Sequence, residues 1–507
     1  MQAVILAGGK GTRLAPRLDG RPKPLVDVCG RPLLARQLEA LEAQGIDEVL
    51  LLVNHKAEMV AAFVEQRDNV AHIDLIDDGE PRGTAGALLA VAGKLHERFL
   101  VVYGDTLFDI DLNHMLDHHL TAEADVTLLL HPNDHPADSD LVEIDGSGWI
   151  SRFHGYPHPQ GAVLGNLVNG AMYVCERNAI AAWRDMPAPV DLAKDLFPRM
   201  LTAGRRLKGY KSYEYIKDLG TPARLDKAER HLRRGVVDRA SRRHLQKAVF
   251  LDRDGTLNVP DGYIRHPDSI QLIKGAGAAV KRLNDAEYRV ILATNQPVLA
   301  RGECDGKTMQ RIHARLESDL GSAGAYLDDI RVCPHHPDGG FAGEVKELKC
   351  LCDCRKPAPG LLLQAARDMR IDLRRSWMVG DSSVDLACAR EAGVSSVLVL
   401  TGEMGRDGRC SAAPDFVAAD IGAAVSLILD QVPAAEAAAS AWLSDLPAGV
   451  VLAFSGGSEQ TRRSVRALFR RTEKAKRGDL DFDDEARGGD RQQVVTIDAV
   501  RWAAVLS

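Results

Sequence analysis

Residues 247–258 read KAVFLDRDGTLN, and few stretches of this length restrict a fold so tightly. An uninterrupted apolar run, Ala248 to Leu251, gives way at once to Asp252, Arg253, Asp254, Gly255 and Thr256. Such a run, closed by turn residues, predicts a strand buried on both faces, as in a parallel sheet covered by helices. Side chains on a strand repeat every second residue, so Asp252 and Asp254 point the same way from its carboxyl end. Two like charges so close need a cation or a shared proton. The pair suits one aspartate as phosphoryl acceptor and the other as proton donor, with a divalent cation between them. Asp and Gly are also ordinary turn residues, so the pair gains its weight from three matching pieces later in the chain.

The first of these, VILATNQPVLARG (290–302), is an apolar strand ending in Thr294 and Asn295, polar groups able to meet a phosphoryl oxygen. CRKP (354–357) offers Lys356 as a phosphate-neutralising cation. SWMVGDSSVD (376–385) is a strand followed by Asp381 and Asp385, hard oxygen ligands suited to Mg²⁺. The series resembles the four motifs of the haloacid dehalogenase superfamily and implies a HAD-like parallel α/β domain. The resemblance implies that Asp252 attacks phosphorus and that Asp254 protonates the leaving alcohol, then takes a proton from water. It further implies that Asp252, Asp381 and the backbone carbonyl of Asp254 hold Mg²⁺, and that Thr294 and Lys356 stabilise the phosphoryl oxygens.

Between the second and third motifs lies CPHHPDGGFAGEVKELKCLCDCRKP (333–357). Cys333-x-His335 and Cys352-x-Cys354 give two ligand pairs of the kind that hold a structural tetrahedral Zn²⁺. Cys350 and His336 are rivals within the same loop. Cys352 and Cys354 are favoured because they abut Arg355 and Lys356, which a metal there would brace. Residues 247–410 resemble the D-glycero-D-manno-heptose 1,7-bisphosphate 7-phosphatases and the related histidinol phosphatases. In that family Arg355 would help read a substrate phosphate, with Asn295 and Arg301 also expected at the substrate. Pro297 departs from the small serine usual there. The histidinol-phosphatase reading, with a weakened or regulatory N-terminal domain, stands as the alternative.

The N-terminus, AVILAGGKGTRLAPRLDGRPKPLVDVCGRPLL (3–34), runs from a buried strand into a Gly-rich loop. Gly8, Gly9 and Gly11, with Thr12, let the backbone approach phosphates, and Arg13 and Lys23 add fixed positive charge. A dinucleotide fingerprint is excluded, because GGKG does not fit GxGxxG. The stretch resembles the sugar-1-phosphate nucleotidyltransferases, and further matches occur in that family's order. EPRGTAGAL (80–88) resembles its base- and sugar-reading loop, with Gly83 and Thr84 as contacts. VVYGDTLFDIDL (101–112) and YIKDLGTPARL (215–225) offer Asp105 and Asp218 as the Mg²⁺ carboxylates, and NGAMYV (169–174) offers Asn169 as the sugar reader. FHGYP (153–157) departs from the family pattern in lacking its acid and its lysine, and Ala193 stands where the family has a further acid before Lys194 and Asp195. The opening otherwise looks most like heptose-1-phosphate guanylyltransferases, which implies GTP as the nucleoside triphosphate. The two resemblances imply consecutive reactions on one sugar.

The chain has 507 residues and 45% apolar content, enough for two packed α/β domains. The expected layout is a GT-A-like, Rossmann-like mixed-sheet domain over 1–228, a helical linker over 229–246, the HAD-like domain over 247–428 and an appendage over 429–507. A net charge of −7 argues against nucleic-acid binding, so the basic groups are local and phosphate-directed. Nine cysteines, four of them in the metal loop, without a signal peptide, point to a reducing cytoplasm. No apolar run is read as approaching membrane-spanning length. GSEQTRRS (457–464) matches a P-loop frame with Arg462 in place of the glycine and Arg463 in place of the lysine, so nucleotide binding is not expected there. Residues 434–443 are expected to be helical and 471–493 flexible.

Overall fold

The computed structural model describes residues 1–67, 71–444, 450–455, 458–472, 475, 480–483 and 494–506. The chain divides into two units, Met1–His244 and Leu245–Ser507.

The first unit is built on a nine-stranded mixed sheet. Its centre is parallel: His72–Asp77, Glu48–Val53, Gln2–Leu6 and Arg98–Tyr103 lie side by side in that order. Val168–Glu176 then joins antiparallel and carries the remaining strands. The central strands are nearly unbroken apolar runs, as expected where helices cover both faces. Their carboxyl ends share one rim, which is continued by Ala7–Gly11, Asn54, Asp78 and Gly104–Asp105. The basic stretch 223–246 begins with the helix Pro222–Arg233, whose Leu225 and Ala228 are buried within this unit.

In the second unit six parallel strands run in the order Asp329–Cys333, Arg289–Asn295, Ala248–Leu251, Trp377–Gly380, Ser395–Val399 and Phe416–Ala418. The strand Ala248–Leu251 is central and wholly buried, so Asp252 emerges at the middle of the rim.

Described residues of the stretch 429–507 share this unit's core. Val432, Leu443, Leu452, Val465 and Leu468 are buried in the same cluster as Val249 and Leu251. The strand Val450–Ser455 is the middle of a small parallel sheet ordered Leu480–Asp483, Val450–Ser455, Val494–Asp498, and the helix Glu459–Arg470 follows it in the chain. Arg462 and Arg463 both face Glu459 on their own helix, at 2.9 and 3.7 Å. Gly457 of the P-loop frame lies outside the described residues, as does most of the segment read as flexible; its described residues 480–483 form a strand.

One expectation needs correction. Among the described residues the helix Ile421–Leu443 is 23 residues long and apolar enough to cross a membrane by length and composition alone. Alanines and a few polar residues disguise the run in the sequence. Ile421, Ala424, Val425, Ile428, Val432, Ala435, Ala439 and Leu443 recur at helical spacing and pack into the unit's core.

A buried carboxylate makes the first unit sensitive to pH. Glu214 accepts hydrogen bonds from the backbone N–H of Asp111 (2.9 Å) and Arg242 (3.4 Å) and from Ser212 Oγ (3.1 Å). Burial nevertheless pushes its pKa up to about 7 from an ordinary 4.5. A raised carboxyl pKa stabilises the fold below the unfolded value, and that stability is lost as pH rises through the folded value. Stability of the first unit should therefore fall between pH 4.5 and 7, by on the order of 3 kcal/mol. Hydrogen exchange of peptides containing Asp111 and Arg242, corrected for intrinsic rates, should show protection falling over this window. Glu214→Gln should flatten the dependence.

Candidate active sites

At the rim of the second unit, Lys356 Nζ donates to Asp252 Oδ1 at 2.7 Å and to Asp385 Oδ1 at 2.6 Å. Asp385 Oδ2 also accepts from Ser382 Oγ at 2.6 Å and closes a capping box at the start of the helix Ser383–Ala392. Asp252, Asp381 and Asp385 offer carboxylate oxygens within 4.8 Å of one another. Burial pushes Asp252 up to about 6, and burial with repulsion from Asp252 pushes Asp381 up to about 7. A hard cation among these oxygens would reverse both shifts, so the donor set fits Mg²⁺. Asp381 fits so closely that neighbours must be glycine. A Cβ on Gly255 would lie 2.3 Å from its Oδ2, and one on Gly402 would lie 1.9 Å away.

Asp254 contributes no carboxylate to this trio. Arg253, fully buried, holds it with Nε at 3.0 Å and Nη2 at 2.7 Å, and Gln296 Nε2 adds a third bond at 3.2 Å. Gln296 also donates to Thr294 Oγ1 at 2.9 Å, which leaves the Thr294 hydroxyl proton for another acceptor. Neither Arg253 nor Gln296 was singled out from sequence. An arginine beside an aspartate on a strand reads as pointing to the opposite face, but here the chain has left the strand.

Asn295 was expected at the substrate. Its carboxamide instead makes two bonds of 3.0 Å with the Lys356 backbone, Nδ2 to the carbonyl and Oδ1 from the N–H. Arg301 lies between the rings of Tyr263 and Phe341, at 4.3 and 4.4 Å from their centroids. Arg355 donates to the carbonyl of His335 at 3.1 Å.

That carbonyl belongs to the metal loop. Cys333, His335, Cys352 and Cys354 present ligand atoms within 4.8 Å of one another; Cys350 and His336 are not in the group. The sulfurs of Cys333, Cys352 and Cys354 lie 3.3 to 3.7 Å apart, and His335 Nδ1 is 3.3 Å from Cys354 Sγ. Tetrahedral zinc with bonds of about 2.3 Å sets sulfurs about 3.8 Å apart. Burial pushes the Cys333 thiol up to about 11, and a cation is what would bring it down. The donor set therefore fits a closed structural zinc.

In the first unit a cavity of about 490 Å³ opens at the strand ends. Gly8, Gly9, Lys23, Gly83, Thr84 and Asp105 line it, with Asn54, Asp78 and Tyr103, which sequence reasoning passed over. Gly83 is required there: its φ is +74°, and a Cβ would lie 2.4 Å from the Val190 carbonyl. Thr84 Oγ1 donates to Asp191 at 2.9 Å and accepts from the Leu192 N–H at 2.8 Å. Lys23 is ion-paired with Asp105.

Arg13, Lys23 and Asp218 converge on Gly220, where an added Cβ would lie 3.4, 3.8 and 2.9 Å from their polar atoms. Gly11, with φ +63°, packs against Lys23, and Thr12 opens the short turn Thr12–Leu14. Asp218 pairs in register with Thr106, next to Asp105, and Arg224 holds its carboxylate at 2.8 and 3.0 Å. Two carboxylates beside each other at strand ends fit a magnesium site, one of them released from an arginine. Asn169 does not line the cavity; its Oδ1 accepts from the Ala171 N–H at 3.2 Å.

Comparisons with known proteins respect the same division. Residues 2–235 match the family model described as nucleotidyl transferase, and residues 353–424 the model described as HAD-hydrolase-like. The D-glycero-β-D-manno-heptose-1,7-bisphosphate 7-phosphatase of Haemophilus ducreyi is 45% identical over 160 residues, 31% of this chain and 85% of that protein. Its namesake from Escherichia coli K12 is 40% identical over 157 residues, 31% of this chain and 80% of that protein. Among solved structures, HddC from Yersinia pseudotuberculosis is 26% identical with a TM-score of 0.40, covering 46% of this chain and 99% of its own. The D,D-heptose 1.7-bisphosphate phosphatase from B. bronchiseptica, complexed with magnesium and phosphate, is 36% identical with a TM-score of 0.32, covering 36% and 98%.

The metal loop can be tested directly. Elemental analysis should find about one zinc per chain, lost in Cys352→Ser and kept in Cys350→Ser. Chelation should lower phosphatase activity by loosening Arg355 and Lys356, and Mg²⁺ should not restore it. Zinc lost through the Cys350 change would overturn the ligand assignment.

Proposed function

Since the chain belongs to the family of D-glycero-β-D-manno-heptose-1,7-bisphosphate 7-phosphatases and carries an N-terminal nucleotidyl transferase domain, we propose that it catalyses two consecutive steps on one sugar. The second unit removes the 7-phosphate of a heptose 1,7-bisphosphate. The first unit joins the resulting heptose 1-phosphate to a nucleoside monophosphate drawn from a triphosphate. What carries this reading is the constellation of Asp252, Lys356, Asp381 and Asp385 in a chain whose other unit closes its strands on a nucleotide-sized cavity. The phosphatase relatives carry the heptose name, so histidinol phosphate is not the favoured substrate.

In the second unit, a carboxylate oxygen of Asp252 attacks phosphorus and the bond to the C7 oxygen breaks. Lys356 and the Thr294 hydroxyl take up the negative charge spreading over the phosphoryl oxygens. Asp254 delivers its proton to the departing alcohol, then removes one from the water that attacks the aspartyl-phosphate, releasing phosphate and restoring Asp252. Arg253 and Gln296 aim Asp254 and must share it with that proton. Mg²⁺, held by Asp252 and Asp381 with the carbonyl of Asp254, would keep Asp252 ionised and draw charge from the phosphoryl group.

In the first unit the nucleophile is a phosphate oxygen of the sugar 1-phosphate, which attacks the α-phosphorus and expels pyrophosphate. The chain need only gather the two anions in line, a task for Arg13, Lys23 and the glycine backbone at 8–11. Mg²⁺ held by Asp105 and Asp218 would supply the remaining positive charge. Nucleoside triphosphates and reduced thiols coexist in the cytoplasm, where we place the protein.

Incubation with heptose 1,7-bisphosphate, a nucleoside triphosphate and Mg²⁺ should yield nucleotide-linked heptose, phosphate and pyrophosphate. Absence of sugar nucleotide with every triphosphate would sink the transferase half. Asp252→Asn should lower phosphate release at least about 1,000-fold, since an amide is a poor nucleophile. It should still convert supplied heptose 1-phosphate. Asp105→Asn should show the opposite pattern, and loss of both activities in either folded variant would show that the sites do not act separately.

A further inference from the structure

One guanidinium in the first unit holds two carboxylates that come from distant parts of the chain. Arg224 Nη1 donates to both oxygens of Asp218, at 2.8 and 3.0 Å, and its Nη2 donates to Asp138 Oδ2 at 3.1 Å. Asp138 is fixed by its own loop. Its other oxygen accepts from His135 Nδ1 at 2.9 Å, and it ends the short turn Pro136–Asp138. The His135 N–H donates to Asn133 Oδ1 at 3.0 Å, and Asn166 Nδ2 donates to the buried Asn133 carbonyl at 2.7 Å.

Arg224 stands where its helix alone would not favour it. It is the third residue of the helix Pro222–Arg233, whose first turn holds no acid. The helix dipole opposes a cation in that turn. The two carboxylates offset the opposition, so the position of Arg224 answers to them.

Asp218 cannot keep this arginine and also hold a divalent cation. Asp218 pairs in register with Thr106, next to Asp105. A hard cation between the two carboxylates would stand about 2.1 Å from an oxygen. Both Asp218 oxygens lie within 3.0 Å of Nη1, which leaves cation and guanidinium within about 5 Å of each other. Repulsion between a double and a single positive charge at that range exceeds what one part-exposed ion pair returns. The guanidinium has a second place to go, because its Nη2 already rests on the half-exposed Asp138.

We infer that Arg224 is a displaceable counter-ion: it occupies Asp218 until a divalent cation arrives and then passes to Asp138, so this pair sets how tightly the first unit takes up its metal. Arg224 is thereby a positioning residue, and Asp138 promotes metal binding without touching the metal. The inference rests on the proposed transferase activity and adds to it the residues that tune metal uptake.

The test reads metal binding rather than turnover. The full-length protein carries Asp252→Asn and Asp381→Asn, which remove two of the three carboxylates of the trio in the second unit. Mn²⁺, a cation that shares the oxygen ligands of Mg²⁺, is titrated by electron paramagnetic resonance. Adding Asp218→Asn should abolish the signal and so locate it. Arg224→Gln should bind Mn²⁺ about 10-fold more tightly, the worth of one bond between charged groups at a partly exposed site. Asp138→Asn should bind it about 3- to 10-fold more weakly, because the arginine then has no carboxylate to pass to. With Arg224→Gln already present, the Asp138 change should shift binding by less than about 2-fold, since its action runs through the arginine. Unchanged or weaker binding in Arg224→Gln, an Asp138 effect that persists without the arginine, or a signal that survives Asp218→Asn overturns the inference. If wild type makes no sugar nucleotide, the transferase reading fails, while the Mn²⁺ titration still decides the role of Arg224.

Discussion

The ammonium of Lys356 is the group on which the second unit depends. Its side chain is 2% exposed, yet it bonds Asp252 and Asp385 at once. Taking an ammonium out of water costs several kcal/mol, so it is tolerable only because both carboxylates are fixed around it. Asp252 is fixed by the end of the central strand, Asp385 by its own helix cap. Three carboxylates against one ammonium leave two negative charges in a buried site. Burial first, and repulsion between the carboxylates second, pushes Asp252 up to about 6 and Asp381 up to about 7, and a divalent cation among them would reverse both shifts.

Lys356 cannot hold that position through its side chain alone. Asn295 clamps its backbone from the neighbouring strand, and Cys354 two residues earlier belongs to the metal cluster. The same cluster starts at Cys333, which pairs with Asn295 in the sheet. The Cys/His loop thus joins two adjacent strands to Lys356. A structural zinc held there would stiffen the site without meeting the substrate.

Strand-end chemistry was legible in the sequence because a buried strand must stop where polar residues begin. KAVFLDRD and MVGDSS announce both the strand and the side chains at its rim. The Cys/His cluster was legible for a similar reason, since thiols and imidazole at short spacing have few other uses in one loop. Partners contributed by distant backbone were not. Nothing local marks Asn295 as a clamp for Lys356, or Arg224 as the group holding Asp218, because both depend on which strands become neighbours. Asp78 was missed because it is one acid among several at a strand end, and only the cavity distinguishes it. Residues 434–443 of the helix Ile421–Leu443 were legible as helical, but its full length escaped because Ser426, Asp430, Gln431 and Glu436 interrupt the apolar run.

The two units place their chemistry at the carboxyl ends of parallel strands yet use opposite charges there. On the proposed reactions, the difference comes from the source of the nucleophile. The phosphatase supplies its own, so a carboxylate must stand at the reacting phosphorus and the surplus negative charge must be met by Lys356 and a metal. The transferase borrows its nucleophile from a second anionic substrate, so the chain must overcome repulsion between two phosphates. Arg13 and Lys23 converge beside Asp218, and Lys10 and Arg82 line the cavity. Carboxylates in that cavity are tolerable only where a cation answers them, as Lys23 answers Asp105.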